Sequence, residues 1–266
     1  MLENTPSSII INKASIAVNR FGYGARGNEL AQAKKNPKKW IVEQLQPITF
    51  SANFPNSSDI FFEHVKYLKE KKRQKKQKKN RQPTNSQLAN KQSNNKMTKN
   101  GARNALRGMS ADTLKQAIDS ANSVSWRLLD FFSNHFSVSS NGRLMVGLAA
   151  TLEREAIAPN MLGNYEDILL AVEQHPAMLI YLNNEKSFGP NSRMSKRNKK
   201  GLNENLAREI LELHTLGVNG GYNQTDVIEL AKGITGWSVL NPRKERHAGF
   251  TFRANGHEPG TRKLLG

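Results

Sequence analysis

The sequence has no cysteine among its 266 residues, which excludes disulfides, zinc–thiolate centres and thiol nucleophiles. It also has no apolar run near the roughly 20 residues of a membrane-spanning helix. Its N-terminus has only three consecutive isoleucines, Ile9 to Ile11, too few for the core of a secretory signal peptide. As written, the sequence therefore predicts a cytoplasmic protein with no membrane span.

Acidic residues are scarce in one segment. From Lys66 to Arg107 there are 15 Lys and Arg against the single acid Glu70, so this segment carries +14 of the formal charge of +18. Its lysine- and asparagine-rich, aromatic-poor composition predicts a solvated, disordered insertion over residues 66–108. The alternative is non-specific polyanion binding through residues 66–107, with a steep salt dependence.

Apolar residues at helical spacing dominate the rest of the chain. They predict a helical region over 14–46, with Pro37 at a first helical position. Further helices are predicted at about 110–136, 141–157, 165–174, 176–182, 203–216 and 225–235, the last with Thr225 as N-cap. Alternation at both ends of 237–253 predicts a small β-hairpin.

The predicted fold class is therefore mainly α: a multi-helix orthogonal or bundle-like domain with a small β-hairpin near the C-terminus. We expect an N-terminal helical part over residues 1–65, the basic insertion over 66–108, and the main helical domain over 109–266. Three glycines, Gly22, Gly24 and Gly27, match the spacing of a dinucleotide-binding loop. Because no second strand follows, they predict a turn instead.

Three polar side chains fall on apolar faces when the predicted helices are projected at about 100° per residue. They are His135, Glu155 and His214. Burying an imidazole or a carboxylate without a partner is costly, so we expect the three to converge. Two histidines and one carboxylate suit a divalent metal with open positions, or a metal-free acid–base pair in which Glu155 orients a histidine. The third alternative is a hydrogen-bonded network with no chemistry.

A polar stripe occupies the opposite face of the helix that carries His214. It consists of Asn205, Arg208, Glu209 and Glu212. We expect it to brace neighbouring helices, with Glu204 and Arg208 in the favourable order for an ion pair.

Several segments together resemble a known family. They are RFGYG near the N-terminus, FFSNHFSVS, NENLAREILELHTLGVNGGYNQTDVIELAKGITGW and the ending HEPGTRKLLG. The chain is similar through them to the bacterial domain-of-unknown-function 1800 (DUF1800) family. In that family His-Asp is usual where this chain has His257-Glu258, and members continue further, so the resemblance implies a chain truncated at Gly266.

The resemblance implies no established activity. It implies an exported accessory protein beside a sulfatase- or phosphatase-like partner, a pattern from which this leaderless sequence departs. Three functions are thus expected: a hydrolase-like enzyme with a His/Glu centre, a non-catalytic accessory or scaffold protein, or a polyanion binder.

Overall fold

The computed structural model describes the backbone of residues 12–79, 88–198, 201–240 and 249–266, and their side chains except at 78–79, 88–100 and 198. Over these residues the fold is mainly α-helical, with a two-stranded antiparallel sheet near the C-terminus, as the sequence predicted. The elements in chain order are α1 (Lys13–Ile16), α2 (Glu29–Lys35), α3 (Pro37–Glu43), α4 (Ser57–Lys79), α5 (Leu88–Asp119), α6 (Ser123–His135), α7 (Met145–Leu152), α8 (Ala158–Asn160), α9 (Tyr165–Glu173), α10 (Pro176–Tyr181), α11 (Arg193–Asn198), α12 (Asn205–Glu209), α13 (Gln224–Gly233), β1 (Trp237–Val239) and β2 (Phe250–Phe252).

Three of the described helices continue directly into π-helical turns, whose hydrogen bonds join residues five apart. These are π1 (Ala17–Phe21) after α1, π2 (Glu153–Ile157) after α7 and π3 (Ile210–Thr215) after α12. Such turns are rare in proteins overall, and those that occur are often located at functional sites. Two of the three polar residues singled out above, Glu155 and His214, lie in them.

A small hydrophobic cluster holds the N-terminal helices together. Trp40 of α3 packs in it with Val18 of π1 and Val124 of α6. Pro37 is at the first position of α3, as predicted, and the side chain of Asn36 caps this helix by accepting from the Lys39 N–H at 3.0 Å.

The glycines after π1 form a turn, as predicted, and no strand precedes them among the described residues. Gly24 and Gly27 have φ angles of +96° and +49°, which glycine adopts without steric cost. A Cβ on Gly22 would lie 2.7 Å from the Ser123 hydroxyl, so the turn lies close against the start of α6.

The basic segment has helical backbone in its described parts, 66–79 and 88–108, where the sequence led us to expect disorder. α4 begins with the buried side chains of Ile60, Phe61 and Val65. Lys, Arg and Gln then continue the helix because their intrinsic helix propensity is high. Residues 80–87 lie outside the described residues, and the division of the chain into three parts stays a prediction.

The predicted helix 110–136 is two helices, α5 and α6, and Arg26 explains the break. Its guanidinium donates hydrogen bonds to the carbonyl oxygens of Ala117, Ile118 and Ser120 at 2.8–3.1 Å. These carbonyls at the end of α5 lack helical partners. The arginine satisfies them, and the chain can turn before α6 begins.

The N-cap of α13 is Asn223, and the prediction of Thr225 was wrong. The Asn223 side chain accepts from the backbone N–H groups of Thr225 and Asp226 at 2.7 and 3.3 Å. Asp226 in turn accepts from the Asn223 N–H at 2.9 Å, which completes a capping box. The strands β1 and β2 pair with Ser238 opposite Thr251, and their connection over 241–248 lies outside the described residues.

The main core lies where six helices meet. Each contributes a side chain with no exposed area: Leu129 of α6, Leu148 of α7, Val172 of α9, Leu179 of α10, Leu206 of α12 and Val227 of α13. No helix among the described residues is both long and apolar enough to cross a membrane.

Candidate functional site

Two of the three predicted polar residues meet. His135 is the last residue of α6 and His214 lies in π3, and their ring centroids are 5.8 Å apart. Phe136, which is fully buried, packs edge-on against His214 at 5.1 Å. The His135 imidazole is half-buried at the surface, and the His214 imidazole lies behind it in the core.

Tyr165, the first residue of α9, joins the two histidines. Its hydroxyl donates a hydrogen bond to the backbone carbonyl of His214 and lies 2.9 Å from Nε2 of His135. A tyrosine hydroxyl has one proton, and here the carbonyl receives it. His135 must then donate from Nε2, which leaves its Nδ1 unprotonated.

Glu173 is the acidic partner of His214, and the sequence projection missed it. Its Oε1 lies 2.6 Å from His214 Nδ1, and the two side chains are only 3% and 5% exposed. Glu173 is the last residue of α9 and follows Leu169, a partly buried core contact, by four residues. That spacing places both side chains on the same face of the helix, and it could have indicated from the sequence that Glu173 faces the core. Burial raises the pKa of the Glu173 carboxyl and outweighs the opposing effect of His214, while the charge of Glu209 raises the pKa further.

The carboxylate of Glu155 is engaged elsewhere. It accepts hydrogen bonds from the Ser57 N–H and hydroxyl, both at 2.6 Å, and from His175 Nε2 at 3.1 Å. Burial alone would raise the pKa of Glu155, but the hydrogen bonds from His175 and Ser57 outweigh it and hold the pKa below its ordinary value. Glu155 therefore fastens the start of α4, and the structure does not bring it to the two histidines as the sequence had led us to expect.

The junction between α9 and α10 contributes one residue to each of two pairs, Glu173–His214 and His175–Glu155. Glu173 reaches His214, and two residues later His175 reaches Glu155. Nδ1 of His175 accepts from the Ala177 N–H at 3.1 Å and caps α10. His175 Nε2 is thereby fixed as the donor to Glu155.

The surroundings of His135 disfavour its protonated form. Burial and the neighbouring His214 imidazole lower the pKa of the His135 imidazole below 6.5, and the nearby backbone carbonyl of His214 opposes them only in part. An imidazole with a lowered pKa is unprotonated at neutral pH and can accept a proton there.

The geometry offers little to a metal ion. Within the part of the chain that the structure describes, no three His, Cys, Asp or Glu side chains form a group that could hold one. The set of His135, Glu155 and His214 was predicted as metal ligands, but Glu155 is held by Ser57 and His175. What the arrangement can do chemically is proton transfer at His135.

A pocket of about 660 Å³ opens beside His135. π1 and α6 provide its walls: Arg20, Phe21, Val124, Arg127, Leu128, Asp130, Phe131 and Asn134. Another cavity, of about 760 Å³, is lined by residues of α5, α6 and α7, and it shares Asp130 with the first pocket. In that cavity Glu153 accepts from the Thr113 and Ser133 hydroxyls at 2.8 and 3.1 Å.

The comparison with protein families identifies the group to which this chain is related. The family model described as a protein of unknown function (DUF1800) matches residues 16–266. The chain belongs to the DUF1800 family. No curated protein and no solved structure matches it. The family assignment thus agrees with the resemblance in the sequence, and it does not assign a reaction.

The DUF1800-like ending differs from the usual pattern at Glu258, and the structure gives that residue a structural role. Glu258 is 3% exposed, and its two carboxylate oxygens accept from the Asn191 N–H and side-chain amide at 2.8 and 2.6 Å. The backbone N–H of Glu258 donates to the Thr235 hydroxyl at 2.9 Å. Glu258 therefore joins the ending of the chain to the segment after α10 and to the end of α13.

In the long DUF1800-like segment, the polar stripe is where the sequence placed it. Asn205 and Arg208 are exposed, and Glu209 and Glu212 are half-buried. Arg208 pairs with Glu204 at 3.3 Å, the expected ion pair, and donates to the side chain of Gln224 at 2.9 Å. Through Arg208 the stripe contacts the start of α13, and its bracing role stays a prediction.

Proposed function

We propose that this chain carries a metal-free histidine acid–base centre and acts as a hydrolase-like enzyme, with His135 as general base. The observation that carries the proposal is the half-buried His135 at the edge of a pocket, with Nε2 2.9 Å from the Tyr165 hydroxyl. From this contact we infer that Nδ1 is the unprotonated nitrogen. A general base needs this combination of access, fixed orientation and a pKa near or below the working pH.

The proposed step is the hydrolysis of an ester in the 660 Å³ pocket. Nδ1 of His135 takes a proton from a water molecule, and the water oxygen forms a bond to the ester carbonyl carbon. The bond from that carbon to the leaving oxygen then breaks, and the His135 imidazolium returns the proton to the leaving alcohol. The products are one acid and one alcohol, and the histidine ends in its starting state.

The Glu173–His214 pair supports this step from behind. A buried carboxylate on an imidazole Nδ1 fixes the ring, as in serine hydrolases. Here the backbone carbonyl of His214 fixes the Tyr165 hydroxyl, and this hydroxyl fixes His135. Glu173 and His214 are therefore proposed as positioning residues, and His135 as the residue that meets the substrate.

The first experiment measures the state of His135 without any substrate. Nuclear magnetic resonance with ¹⁵N-labelled histidine should give a pKa below 6.5 for His135 and show its neutral form protonated at Nε2. Tyr165→Phe should remove the preference for Nε2–H. A pKa at or above 6.5 in the wild type, or a neutral form protonated at Nδ1, would overturn the assignment of the base.

The second experiment measures turnover with 4-nitrophenyl esters as probes. His135→Gln should lower kcat/KM by roughly 10²–10⁴-fold, the usual contribution of general-base catalysis. His64→Gln is the matched control because His64 lies outside this pocket. The wild-type rate should fall as the pH drops through the lowered pKa of His135. Equal rates for wild type and His135→Gln would rule out the proposed reaction.

A second candidate function is polyanion binding by α4. From Lys66 to Lys76 the helix exposes six Lys side chains and Arg73, with Glu70 as the acid among them. Replacing Lys71, Lys72, Lys75 and Lys76 by Gln should reduce binding to a DNA duplex. If all four contact phosphates, the slope of log K against log salt should become less negative by roughly 3–4. An unchanged slope would contradict this role.

The accessory role beside a sulfatase- or phosphatase-like protein stays a prediction from the family resemblance. Two results together would favour this role over the acid–base centre. A pull-down with the purified chain should capture a specific partner protein, and the ester screen should show no turnover.

A further inference from the structure

The pocket beside His135 contains two aromatic rings that are open to solvent. Phe131 is 61% exposed and Phe21 is 47% exposed. The Phe131 ring lies nearly parallel to the His135 imidazole, with an angle of 4° between the ring planes and 6.2 Å between the centroids. Exposed aromatic rings in a concave site are typical of ligand-binding surfaces.

The same pocket carries two arginines that are not neutralised. Arg20 comes from π1 and Arg127 from α6, and both are exposed. Among the described residues, neither guanidinium forms an ion pair, although other arginines such as Arg154 and Arg208 do. The acid that lines the pocket, Asp130, accepts a hydrogen bond from the Tyr23 hydroxyl at 2.5 Å. With His135 neutral, the charged side chains that line the pocket sum to +1.

These features complement one chemical class of ligand. A guanidinium group presents paired N–H donors that match the oxygens of carboxylate, sulfonate and phosphate groups. The exposed rings match an apolar or aromatic body. A neutral ligand would form no ion pair with the two arginines. An anion without an apolar body would leave the two aromatic rings exposed to solvent.

We propose that this pocket binds an organic anion with an aromatic body, its anionic group on Arg20 and Arg127 and its ring system against Phe21 and Phe131. The inference rests on the proposed function only in making the bound anion the substrate of His135. In that case a hydrolysed ester would carry its negative charge on the part that Arg20 and Arg127 hold.

The test uses two fluorescent probes of similar shape. 8-Anilinonaphthalene-1-sulfonate is anionic, and N-phenyl-1-naphthylamine lacks the charge. Wild-type protein should bind the anionic probe more tightly. Arg20→Gln and Arg127→Gln should each weaken its binding by about twofold to fivefold, because both arginines are solvent-exposed and their ion pairs are partly screened. Binding of the neutral probe should not change.

Matched variants separate this site from general charge and from misfolding. Arg103→Gln removes one positive charge from an exposed arginine that does not line the pocket, and it should bind both probes as the wild type does. Phe131→Ser should weaken both probes without loss of thermal stability, since the ring it removes is mostly exposed. Equal affinity of the wild type for the two probes, or wild-type binding by both arginine variants, would overturn the proposal.

His135→Gln distinguishes failure here from failure of the proposed function. This variant should keep the preference for the anionic over the neutral probe and lose turnover. Loss of probe binding in the arginine variants together with no turnover in the wild type would leave the anion site standing and remove the acid–base centre. Turnover that depends on His135 but not on the arginines would support the acid–base centre and remove the anion site.

Discussion

The reassignment of Glu155 can be tested by a single substitution, Glu155→Gln. The amide keeps the size of the side chain but has one acceptor oxygen and places an NH₂ group where a second oxygen was. The native carboxylate accepts from the Ser57 N–H, the Ser57 hydroxyl and His175 Nε2, at 2.6, 2.6 and 3.1 Å. In the variant, at least one of these donors therefore faces another donor.

The size of the effect follows from these contacts. A hydrogen bond to a charged group contributes about 1.5–3 kcal/mol, but the Glu155 side chain is 29% exposed, and solvent screening reduces the total. We expect a loss of about 2–3 kcal/mol in the free energy of unfolding at pH 6, which lowers Tm by roughly 5–10 °C in a chain of this size. Thermal unfolding followed by circular dichroism measures this. Glu43→Gln is the control, because its ion pair with Lys39 is mostly exposed.

The pH dependence gives a second check on the same residue. The pKa of Glu155 is lowered in the folded state from an ordinary value of 4.5. The stability it contributes is therefore complete above pH 4.5 and is lost as the pH falls through the folded-state pKa. The difference between wild type and Glu155→Gln should shrink accordingly in acid. Unchanged stability combined with lost turnover would refute this reasoning and return Glu155 to the catalytic centre.

Three further substitutions test local parts of the fold by thermal or urea unfolding. Asn223→Ala should lower the free energy of unfolding by about 1 kcal/mol, because it removes the cap of α13. Thr225→Ala should lower it by only a few tenths of that, and a larger loss for the threonine variant would contradict the capping box. Gly189→Ala should cost about 1–3 kcal/mol, because the added Cβ would lie 2.5 Å from the Glu258 Cα, and a neutral effect would mean that this contact is looser than described. Arg26→Met should cost about 1–3 kcal/mol by leaving the carbonyls at the end of α5 without their donor, and wild-type stability would show that water satisfies them equally well.

The sequence was sufficient for the helices whose burial follows a regular period. The predicted segments 165–174 and 176–182 differ from α9 and α10 by one residue at the C-terminal end, because Pro176 marks the junction and the apolar spacing is undisturbed. The split between α5 and α6 could not be predicted in this way. It depends on Arg26, more than 90 residues away in the chain, and local spacing contains no information about it.

The candidate site was predicted only in part, for a geometric reason. His135 lies on a regular α-helix, and its projection placed it correctly beside the core. His214 and Glu155 lie in π-helical turns, where each turn holds more residues than the 3.6 assumed in the projection. The side chain of Leu213 is 54% exposed, while its neighbour His214 is buried. A one-sequence projection cannot anticipate this change of phase, nor identify Glu173 as the partner that it creates.

The π-helical turn at π3 also has a meaning for how the chain tolerates insertions and deletions. A π turn differs from an α turn by one residue, so removing one residue between Ile210 and Thr215 would let an uninterrupted α-helix form there. Residues after the deletion would keep their phase relative to α12, because a π turn accommodates its extra residue within one wider turn. Residues inside the turn would shift, and His214, which lies there, would no longer point at Glu173. In a regular α-helix a one-residue deletion rotates all later residues by about 100°. Here the change would stay within the turn, but it would disconnect the buried pair from Tyr165 and His135. A single missing residue in this turn of a related chain would thus mark a protein that keeps the fold and has lost the arrangement behind His135.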